Sequence, residues 1–290
     1  MKEGRYDLHT HTTASDGTLS PEESVRLAGG AGLAGIAVTD HDTVDGIEAA
    51  ARTGPSVGVA VVPGVEITTS VDEGDVHMLG LWIDPADDRL RARLASNRDT
   101  RKKRNELMFA ALRELGMEVA LAEAEAIAIE LRGGEDRSVS RPHIAELLVR
   151  KGYAASPQEA FDLYLGNESK AFVKVPRISP EEAVRWIHDA GGVAVIAHPG
   201  LYKSGQAIIR RLALAGLDGV EASHPEHDAG QEALFRALAG ELGLDVSAGS
   251  DFHGFRDGEP YHAALGARSL DSAGVGKLLA IHQRRWGTAT

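Results

Sequence analysis

The chain has 290 residues, a formal net charge of −12 and no cysteine. This excludes a disulfide framework and cysteine metal ligands, and the acidity argues against a broad surface for duplex DNA. No apolar run approaches the roughly 20 residues of a membrane span, and the polar first residues do not resemble a signal peptide. We therefore expect a cytoplasmic protein without membrane contact.

Short apolar runs alternate with helical patterns, which is typical of an α/β protein with a largely parallel sheet. Strands are expected at residues 6–9, 35–39, 57–62, 76–83, 193–196, 219–222 and 245–248. Helices are expected at residues 21–31, 180–190, 206–215, 229–242 and 270–283. Polar residues stand at most of the strand ends. This favours a closed barrel, because such barrels gather their functional residues at the carboxyl ends of the strands.

The alternation is interrupted between about Pro85 and Pro176, where the sequence indicates only helices, at residues 90–115, 121–131, 142–151 and 157–165. We expect residues 1–88 and 176–290 to form the barrel and residues 89–175 to be a helical insertion that selects the substrate. Its first helix carries a basic run, which is either a solvated face or a surface for the phosphates of an oligonucleotide. The run comprises Arg98, Arg101, Lys102, Lys103 and Arg104.

Two histidines, His9 and His11, follow the first apolar run two residues apart. On a strand, this spacing directs both imidazoles to the same face. A shared metal ion is the common reason for such a pair, although ordinary surface or core histidines can have the same spacing. Asp16, in the turn that follows, returns an oxygen ligand towards the same strand end.

Further imidazoles and carboxylates follow the later strands. Any one of them alone could be a helix cap or a satisfied buried polar group. Together they would be very costly to bury without cations, so the sequence predicts a site for several metal ions. These residues are Asp40, His41, Asp42, Glu66, His77, His198, Glu221, Asp251 and His253.

Four of these stretches together resemble the motifs of the PHP (polymerase and histidinol phosphatase) metal-dependent phosphoesterases. They are His9-x-His11, Thr39-Asp40-His41-Asp42, His198-Pro199 and Ser250-Asp251-Phe252-His253, in the family's order and spread over nearly the whole chain. The resemblance implies a distorted (β/α)7 TIM-like barrel, in agreement with the seven expected strands. Residues 139–145 and 172–176 of the insertion are similar to one branch of the family. Its members remove a phosphate from 3′,5′-bisphosphonucleotides and trim short RNA from the 5′ end.

Carried over residue by residue, the resemblance implies two or three divalent ions. The first would be held by His9, His11, Glu66 and Asp251, with Glu66 bridging to a second ion held by His77 and His198. The third would be held by Asp16, His41 and His253. Asp16 stands where some relatives have histidine, a departure that bears on the identity or occupancy of this ion. These ligand types suit Mn²⁺, Zn²⁺ or Fe²⁺ without choosing among them.

The resemblance also suggests roles beyond metal binding. Asp40 would orient a neighbouring ligand and so contribute to catalysis, whereas Glu221 would either do the same or be structural. A water between two ions would become a hydroxide nucleophile near neutral pH. His198 or His253 is a candidate proton donor to the leaving group.

Substrate selection is expected to come from the insertion. Arg141 and His143 could hold a second phosphate, because arginine can bind a phosphate through two hydrogen bonds. The alternative is an arginine–carboxylate pair and a helix-capping histidine. Lys174 is a further candidate for the same duty, and His224 could touch the substrate, as could His227.

We therefore expect a metal-dependent phosphoric ester hydrolase that acts on nucleotides, namely 3′,5′-bisphosphonucleotides or short single-stranded RNA. A second interpretation is a small-metabolite phosphatase of the histidinol phosphate type. A third is a non-catalytic accessory domain that uses metals for stability, and a fourth is a hydrolase of amides or rings. No feature of the sequence specifies an oligomeric state.

Overall fold

The computed structural model describes residues 2–132, 139–166, 169–173, 175, 177–256 and 258–287. The chain forms two compact units, one comprising Met1–Ala95 and Ile178–Thr290 and the other Ser96–Arg177. The boundaries expected from the sequence lie at residues 89 and 175. The first boundary of the compact units falls later, inside a long helix that begins at Asp88.

The first unit is built on an eight-stranded sheet with the order β10-β1-β2-β3-β4-β5-β6-β7. Two further short strands, β8 and β9, form a separate hairpin. The strands are β1 (Arg5–Asp7), β2 (Gly35–Val38), β3 (Ala60–Val71), β4 (Gly74–Leu81), β5 (Val193–Ile196), β6 (Gly219–Ser223), β7 (Asp245–Ala248), β8 (Phe255–Arg256), β9 (Glu259–Pro260) and β10 (Leu270–Asp271).

Helices follow most of the strands, and the second unit is helical in its described part. The helices are α1 (Pro21–Gly30), α2 (Ile47–Val57), α3 (Asp88–Glu114), α4 (Leu121–Arg132), α5 (Arg141–Arg150), α6 (Pro157–Ala160), α7 (Pro180–Asp189), α8 (Gly205–Leu214), α9 (Ala229–Leu242) and α10 (Ser272–Trp286). A π-helical turn at Phe161–Leu165 and a 3₁₀ turn at Pro199–Leu201 complete the set. None of the described helices combines the length and apolar character needed to cross a bilayer.

The sheet curves until the end of β7 meets the end of β1. There the amide of Leu8 donates to the carbonyl of Ala248 at 3.1 Å, and the amide of Asp251 donates to the carbonyl of His9 at 2.9 Å. A third hydrogen bond joins the amide of His11 to the carbonyl of Phe252 at 2.8 Å. The predicted barrel-like fold is confirmed, with a nearly closed sheet as its centre.

Side chains alternate across the barrel wall, as expected for strands. In β2, Ile36 and Val38 pack with the residues of the surrounding helices, whereas Ala37 joins the interior cluster around Leu8. All of these side chains are fully buried. Burying a side chain of this size contributes about 1.5–3 kcal/mol, so the barrel interior is a packed core and not a pore.

The sheet is less parallel than expected. The strands β3 and β4 form an antiparallel hairpin, and β4 is also antiparallel to β5. The reversal occurs at Asp72-Glu73, a two-residue turn followed by Gly74, which has a φ of 142°. Glycine adopts such a backbone conformation without steric cost, so the sequence does carry a hairpin signal at this point.

Two expected boundaries were wrong. The strand expected at residues 57–62 begins only at Ala60, because α2 continues to Val57 and ends at the left-handed Gly58. The last helix begins at Ser272 and not at Leu270. Leu270 and Asp271 instead pair with β1 as the eighth strand of the sheet, and the Asp271 side chain caps the helix.

Candidate metal centre

The strand ends of the first unit bring all nine predicted ligands into one cluster. His9, His11 and Asp16 follow β1, and the other six stand on or just after later strands. Most are buried, while Asp16, His41 and His77 are partly exposed. The cluster consists of His9, His11, Asp16, His41, Glu66, His77, His198, Asp251 and His253.

Glu66 occupies the centre of this arrangement. Its carboxylate is 1% exposed and lies among imidazoles that four other strands carry or precede. The nitrogens around it belong to His9, His11, His41, His77 and His198, at 2.9 to 3.4 Å from its oxygens. A carboxylate in this position can contact ions on either side, as a bridging ligand must.

The two other carboxylates lie on opposite sides of His11. Oδ1 of Asp251 is 3.2 Å from Nε2 of His9 and 3.1 Å from Nε2 of His11. On the other side, Oδ1 of Asp16 is 3.4 Å from Nε2 of His253. His11, Asp16, His41 and His253 place one potential ligand atom each within 4.8 Å of one another. His11 is therefore close to the third predicted set as well as the first.

The donor atoms fit divalent ions. Nε2 of His9, Nε2 of His11, Nδ1 of His41 and Oε2 of Glu66 are buried and make no well-formed hydrogen bond within the described residues. Buried polar atoms are nearly always satisfied, so four such atoms around one point indicate a missing partner. A mixed set of imidazoles and carboxylates is the ligand type of Mn²⁺, Zn²⁺ and Fe²⁺.

Hydrogen bonds outside the cluster set the orientation of several imidazoles. Nδ1 of His9 lies 3.0 Å from Glu221, and Nδ1 of His253 lies 2.7 Å from the carbonyl of Asp251. Nδ1 of His198 lies 3.1 Å from the hydroxyl of Tyr202. When Nδ1 donates in this way, the proton-free Nε2 faces the cluster, as a metal ligand requires.

Electrostatics favours positive charge in the cluster. Burial opposes a charged imidazole, but the carboxylates of Glu221, Asp251 and Glu66 outweigh it and raise the pKa of His9 well above its usual value. The pKa of His11 is raised to about 10 for a similar reason. Conversely, burial would raise the pKa values of Glu66 and Asp251, yet the neighbouring imidazoles hold both well below the usual range. Protons or metal ions can supply the favoured charge.

The backbone is unusual at three strand ends. Asp42, His198 and Asp251 have positive φ values of 53°, 29° and 52°. Non-glycine residues adopt this conformation at a cost of about 1–3 kcal/mol, and they do so mostly at functional sites. At Asp42, the carboxylate accepts the amide of Thr68 at 2.9 Å, and its own amide donates to the carbonyl of Glu66. The strained residue therefore fixes the strand that carries Glu66.

Asp40 does not contact the cluster directly. Its carboxylate accepts the amide and the hydroxyl of Thr12, each at 2.8 Å, and the hydroxyl of Ser15 at 2.6 Å. Ser15 in turn lies 3.2 Å from Asp16 and 3.5 Å from His11. Asp40 thus holds the loop that carries Asp16, a neighbouring ligand candidate, without reaching the cluster itself.

Two of the three insertion residues that were expected to bind the substrate are described by the structure. Arg141 is the first residue of α5 and is partly buried. Nδ1 of His143 accepts the amide of Ser140 at 3.1 Å, so His143 caps this helix, as the alternative interpretation expected. Lys174 lies outside the described residues.

His224 lies beside the cluster, within the first unit. Its Nδ1 accepts the amide of Glu226 at 3.2 Å, so the proton of the neutral ring is on Nε2. That nitrogen is buried, has no hydrogen-bond partner in the described chain, and lies 3.7 Å from Oδ2 of Asp251. By contrast, His227 uses both ring nitrogens, accepting the amide of Gly200 and donating to the carbonyl of Ala222.

Sequence reasoning missed two residues at the site and left a third unresolved. Tyr202 supports two ligand positions, since its hydroxyl also accepts the amide of His77 at 2.9 Å. His262 stacks on His253 with ring centroids 4.5 Å apart. Glu221, left as either orienting or structural, binds His9 and therefore orients it. The sequence did indicate a special role for Glu221, because it is a carboxylate within a short strand of otherwise small or apolar buried residues.

Comparison with known proteins identifies the family of the chain. The PHP domain family model matches residues 7–118. A 5′-3′ exoribonuclease from Haemophilus influenzae is 37% identical over 253 residues, covering 86% of this chain and 90% of the relative. A 3′,5′-nucleoside bisphosphate phosphatase from Chromobacterium violaceum is 37% identical over 252 residues, covering 85% and 86%.

Solved structures agree with the fold. A Bifidobacterium adolescentis protein classed as a metal-dependent phosphoesterase superposes with a TM-score of 0.78 at 30% identity, covering 95% of each chain. An amidohydrolase from Chromobacterium violaceum, with bound sulfate and no metal, superposes with a TM-score of 0.80 at 33% identity. That alignment covers 97% of this chain and 96% of the other.

Proposed function

Because this chain belongs to the PHP family and is a metal-dependent phosphoesterase, we propose that it hydrolyses phosphate esters of nucleotides. The substrates would be 3′,5′-bisphosphonucleotides, with release of the 3′-phosphate, or short single-stranded RNA degraded from its 5′ end. Relatives with these two activities, at 37% identity over most of the chain, support the substrate class. The observation that carries the proposal is the set of unsatisfied buried donor atoms around Glu66.

The proposed ligands form three sets, two of which share Glu66. His9, His11, Glu66 and Asp251 would hold one divalent ion. Glu66 would be shared with a second ion held by His77 and His198, whose nitrogens lie 3.0 and 3.1 Å from Oε1. Asp16, His41 and His253 would hold a third. When bound, such ions would acidify a water molecule and neutralise the phosphate oxygens.

The chain's own residues prepare this pocket in three ways. Glu221 keeps the proton of His9 on the nitrogen that faces away from the cluster, and Tyr202 holds the corresponding nitrogen of His198. Asp40 holds the loop of Asp16. His224 presents the Nε2 proton to the edge of the cluster, where a phosphate oxygen of the substrate would accept it.

The two candidate proton donors to the leaving group are His198 and His253. His198 and His253 direct Nε2 into the cluster and engage Nδ1 elsewhere. As ligands, they would have no free proton to give. We therefore place both histidines among the metal ligands and not in acid catalysis.

The test is phosphate release from 3′,5′-bisphosphoadenosine by Mn²⁺-loaded protein, beside a 5′-phosphorylated short RNA, histidinol phosphate and an amide panel. We expect turnover of the bisphosphate or the RNA that is abolished in His11→Ala. His282→Ala is the matched control, because His282 lies on α10 and binds the carbonyl of Gly191. Turnover of histidinol phosphate alone, or of amides alone, would contradict the substrate class.

Arg141 in the second unit is the sequence-based candidate for contacting a further phosphate of the substrate. Arg141→Ala should then raise KM for a 3′,5′-bisphosphate and leave KM for a generic phosphate ester almost unchanged. Equal effects on both substrates would rule out this role.

A further inference from the structure

The short hairpin of β8 and β9 stands directly after His253 and is fixed to the loop that carries Asp16. The amide of Thr18 donates to the carbonyl of His253, and the amide of Phe255 donates to Oγ1 of Thr18, each at 2.8 Å. Gly254 makes this close approach possible, because its φ is 93° and any Cβ would overlap Oγ1 of Thr18. The hairpin therefore has a defined position at the rim of the cluster.

Arg256, the second residue of β8, has no charged partner among the described residues. It stands opposite Glu259 in the hairpin register, yet the two side chains form no ion pair. Its Nε is buried and has no hydrogen-bond partner within the part of the chain that the structure describes. A buried donor of a charged group that lacks a partner destabilises the fold, so an acceptor on a bound ligand would complement it.

The guanidinium has a fixed platform. Its central carbon lies 4.1 Å from the ring centroid of Tyr261, and this ring lies 6.0 Å from the ring of His253. The amide of Tyr261 donates to the carbonyl of Gly254 at 2.8 Å, which holds the ring over the base of the hairpin. One aromatic ring thus separates Arg256 from a residue of the cluster.

We propose that Arg256 binds the phosphate of the substrate that is not cleaved, in the 3′,5′-bisphosphonucleotides considered above. The inference rests on the proposed function. The planar guanidinium offers several donors in a fork that matches phosphate oxygens, and stacking on Tyr261 lowers the entropy lost when it binds. The ribose would then lie between the cluster, which binds the phosphate that is cleaved, and Arg256, which binds the other phosphate.

Three substitutions separate this role from a purely structural one. Arg256→Ala removes the guanidinium, and Arg256→Lys keeps the charge but loses the planar fork. Tyr261→Leu removes the platform and leaves the arginine in place. Arg210→Ala is the matched control for the loss of one positive charge, because Arg210 is half-exposed and pairs with Glu241 on the barrel surface.

The measurements are KM and kcat for 3′,5′-bisphosphoadenosine and for 3′-AMP, which has one phosphate. Calorimetric titration of the metal-free protein with the bisphosphate adds a reading that is independent of turnover. A charge-assisted hydrogen bond of about 1.5–3 kcal/mol corresponds to roughly 10- to 100-fold in affinity. Arg256→Ala should therefore raise KM and Kd for the bisphosphate by about that factor and leave 3′-AMP within twofold. Arg256→Lys and Tyr261→Leu should give intermediate losses.

The outcomes distinguish this inference from the function on which it rests. If wild-type protein hydrolyses the bisphosphate and Arg256→Ala does so with unchanged KM, the role of Arg256 is wrong and the function stands. The role is wrong in the same way if Arg141→Ala alone raises KM, or if Arg256→Ala affects both substrates equally. If wild-type protein hydrolyses no nucleotide, both proposals fall together.

Discussion

The carboxylate of Glu221, on β6, lies 3.0 Å from Nδ1 of His9 and accepts the backbone amide of His198 at 2.7 Å. One buried side chain therefore fixes two neighbouring parts of the cluster, an imidazole and the backbone of another. A carboxylate behind a histidine orients the ring and makes its other nitrogen a better ligand.

Replacing Glu221 should weaken metal binding without changing any proposed ligand. In Glu221→Gln we expect the affinity for Mn²⁺ to fall about 10- to 100-fold, as is typical when the residue behind a ligand is lost. Calorimetric titration of Mn²⁺ into chelator-treated protein measures it. Glu241→Gln, which alters an exposed carboxylate paired with Arg210, is the control. Equal Mn²⁺ affinities in wild type and Glu221→Gln would show that Glu221 does not support metal binding.

Metal ions should stabilise the folded chain, because the cluster exists only when the barrel is closed. At an ion concentration 100 times Kd, linkage predicts about 2.7 kcal/mol of added stability for one site. Calorimetric unfolding with Mn²⁺ and with EDTA should show Tm several degrees higher with the ion. The shift should be smaller in His11→Ala, since His11 reaches two of the proposed sets. An identical shift in wild type and variant would exclude His11 as a ligand.

Tyr202 should matter for both stability and the geometry of the site. Tyr202→Phe removes the hydroxyl that accepts the amide of His77 and contacts Nδ1 of His198. Leaving a buried amide unpaired costs about 1–3 kcal/mol, which urea unfolding can measure. Tyr164→Phe is a suitable comparison, because the described residues supply no hydrogen bond to the hydroxyl of Tyr164. A cost no larger than that of the comparison variant would count against the role.

A further prediction about stability concerns Asp218, which precedes β6 and lies away from the cluster. Burial would raise the pKa of this carboxyl, but hydrogen bonds from His188, Arg285 and the amide of Ala194 outweigh burial and lower it. A depressed pKa means that the ionised form stabilises the fold above the unfolded pKa of about 4. This contribution is lost as the pH falls through the lower, folded value.

Asp218→Asn should therefore cost about 1–3 kcal/mol near neutral pH, because it removes the ionised acceptor of the buried Ala194 amide and of the partly exposed Arg285. The difference from wild type should be constant above about pH 5 and should shrink as the pH falls below about 4. Urea unfolding across this range measures both features. Asp189→Asn, in an exposed pair with Arg93, should cost at most about 1 kcal/mol at any pH. If the loss of unfolding free energy in Asp218→Asn grows towards acid pH, the ionised carboxylate does not stabilise the fold.

The sequence was informative where a residue that can bind a metal ion stands at the end of a predicted strand. Barrel strands present their carboxyl ends at one face, so residues such as His41 and Asp251, placed at those ends, could be brought together without coordinates. The same logic failed between β3 and β4, where the chain turns back at Asp72-Glu73. Glu66 and His77 still meet, because the antiparallel register pairs Thr68 with His77 and brings the two strands side by side.

Supporting contacts were harder to predict because they depend on packing between distant segments. The roles of Tyr202 and Asp40 follow from which backbone amide or hydroxyl lies within reach, and sequence spacing does not encode that. Arg256 is a similar case. Only the fold of the hairpin places its guanidinium on Tyr261 and leaves Nε without a hydrogen bond to any described residue.

The hydrogen bonds that close the barrel between His9 and Asp251 and between His11 and Phe252 have a consequence for synthesis of the protein. The cluster takes side chains from both sides of this seam, so it cannot assemble during synthesis until both segments have left the ribosome. Contacts between such distant positions form late and slowly. The site should therefore form only at a late stage of folding, when the barrel closes.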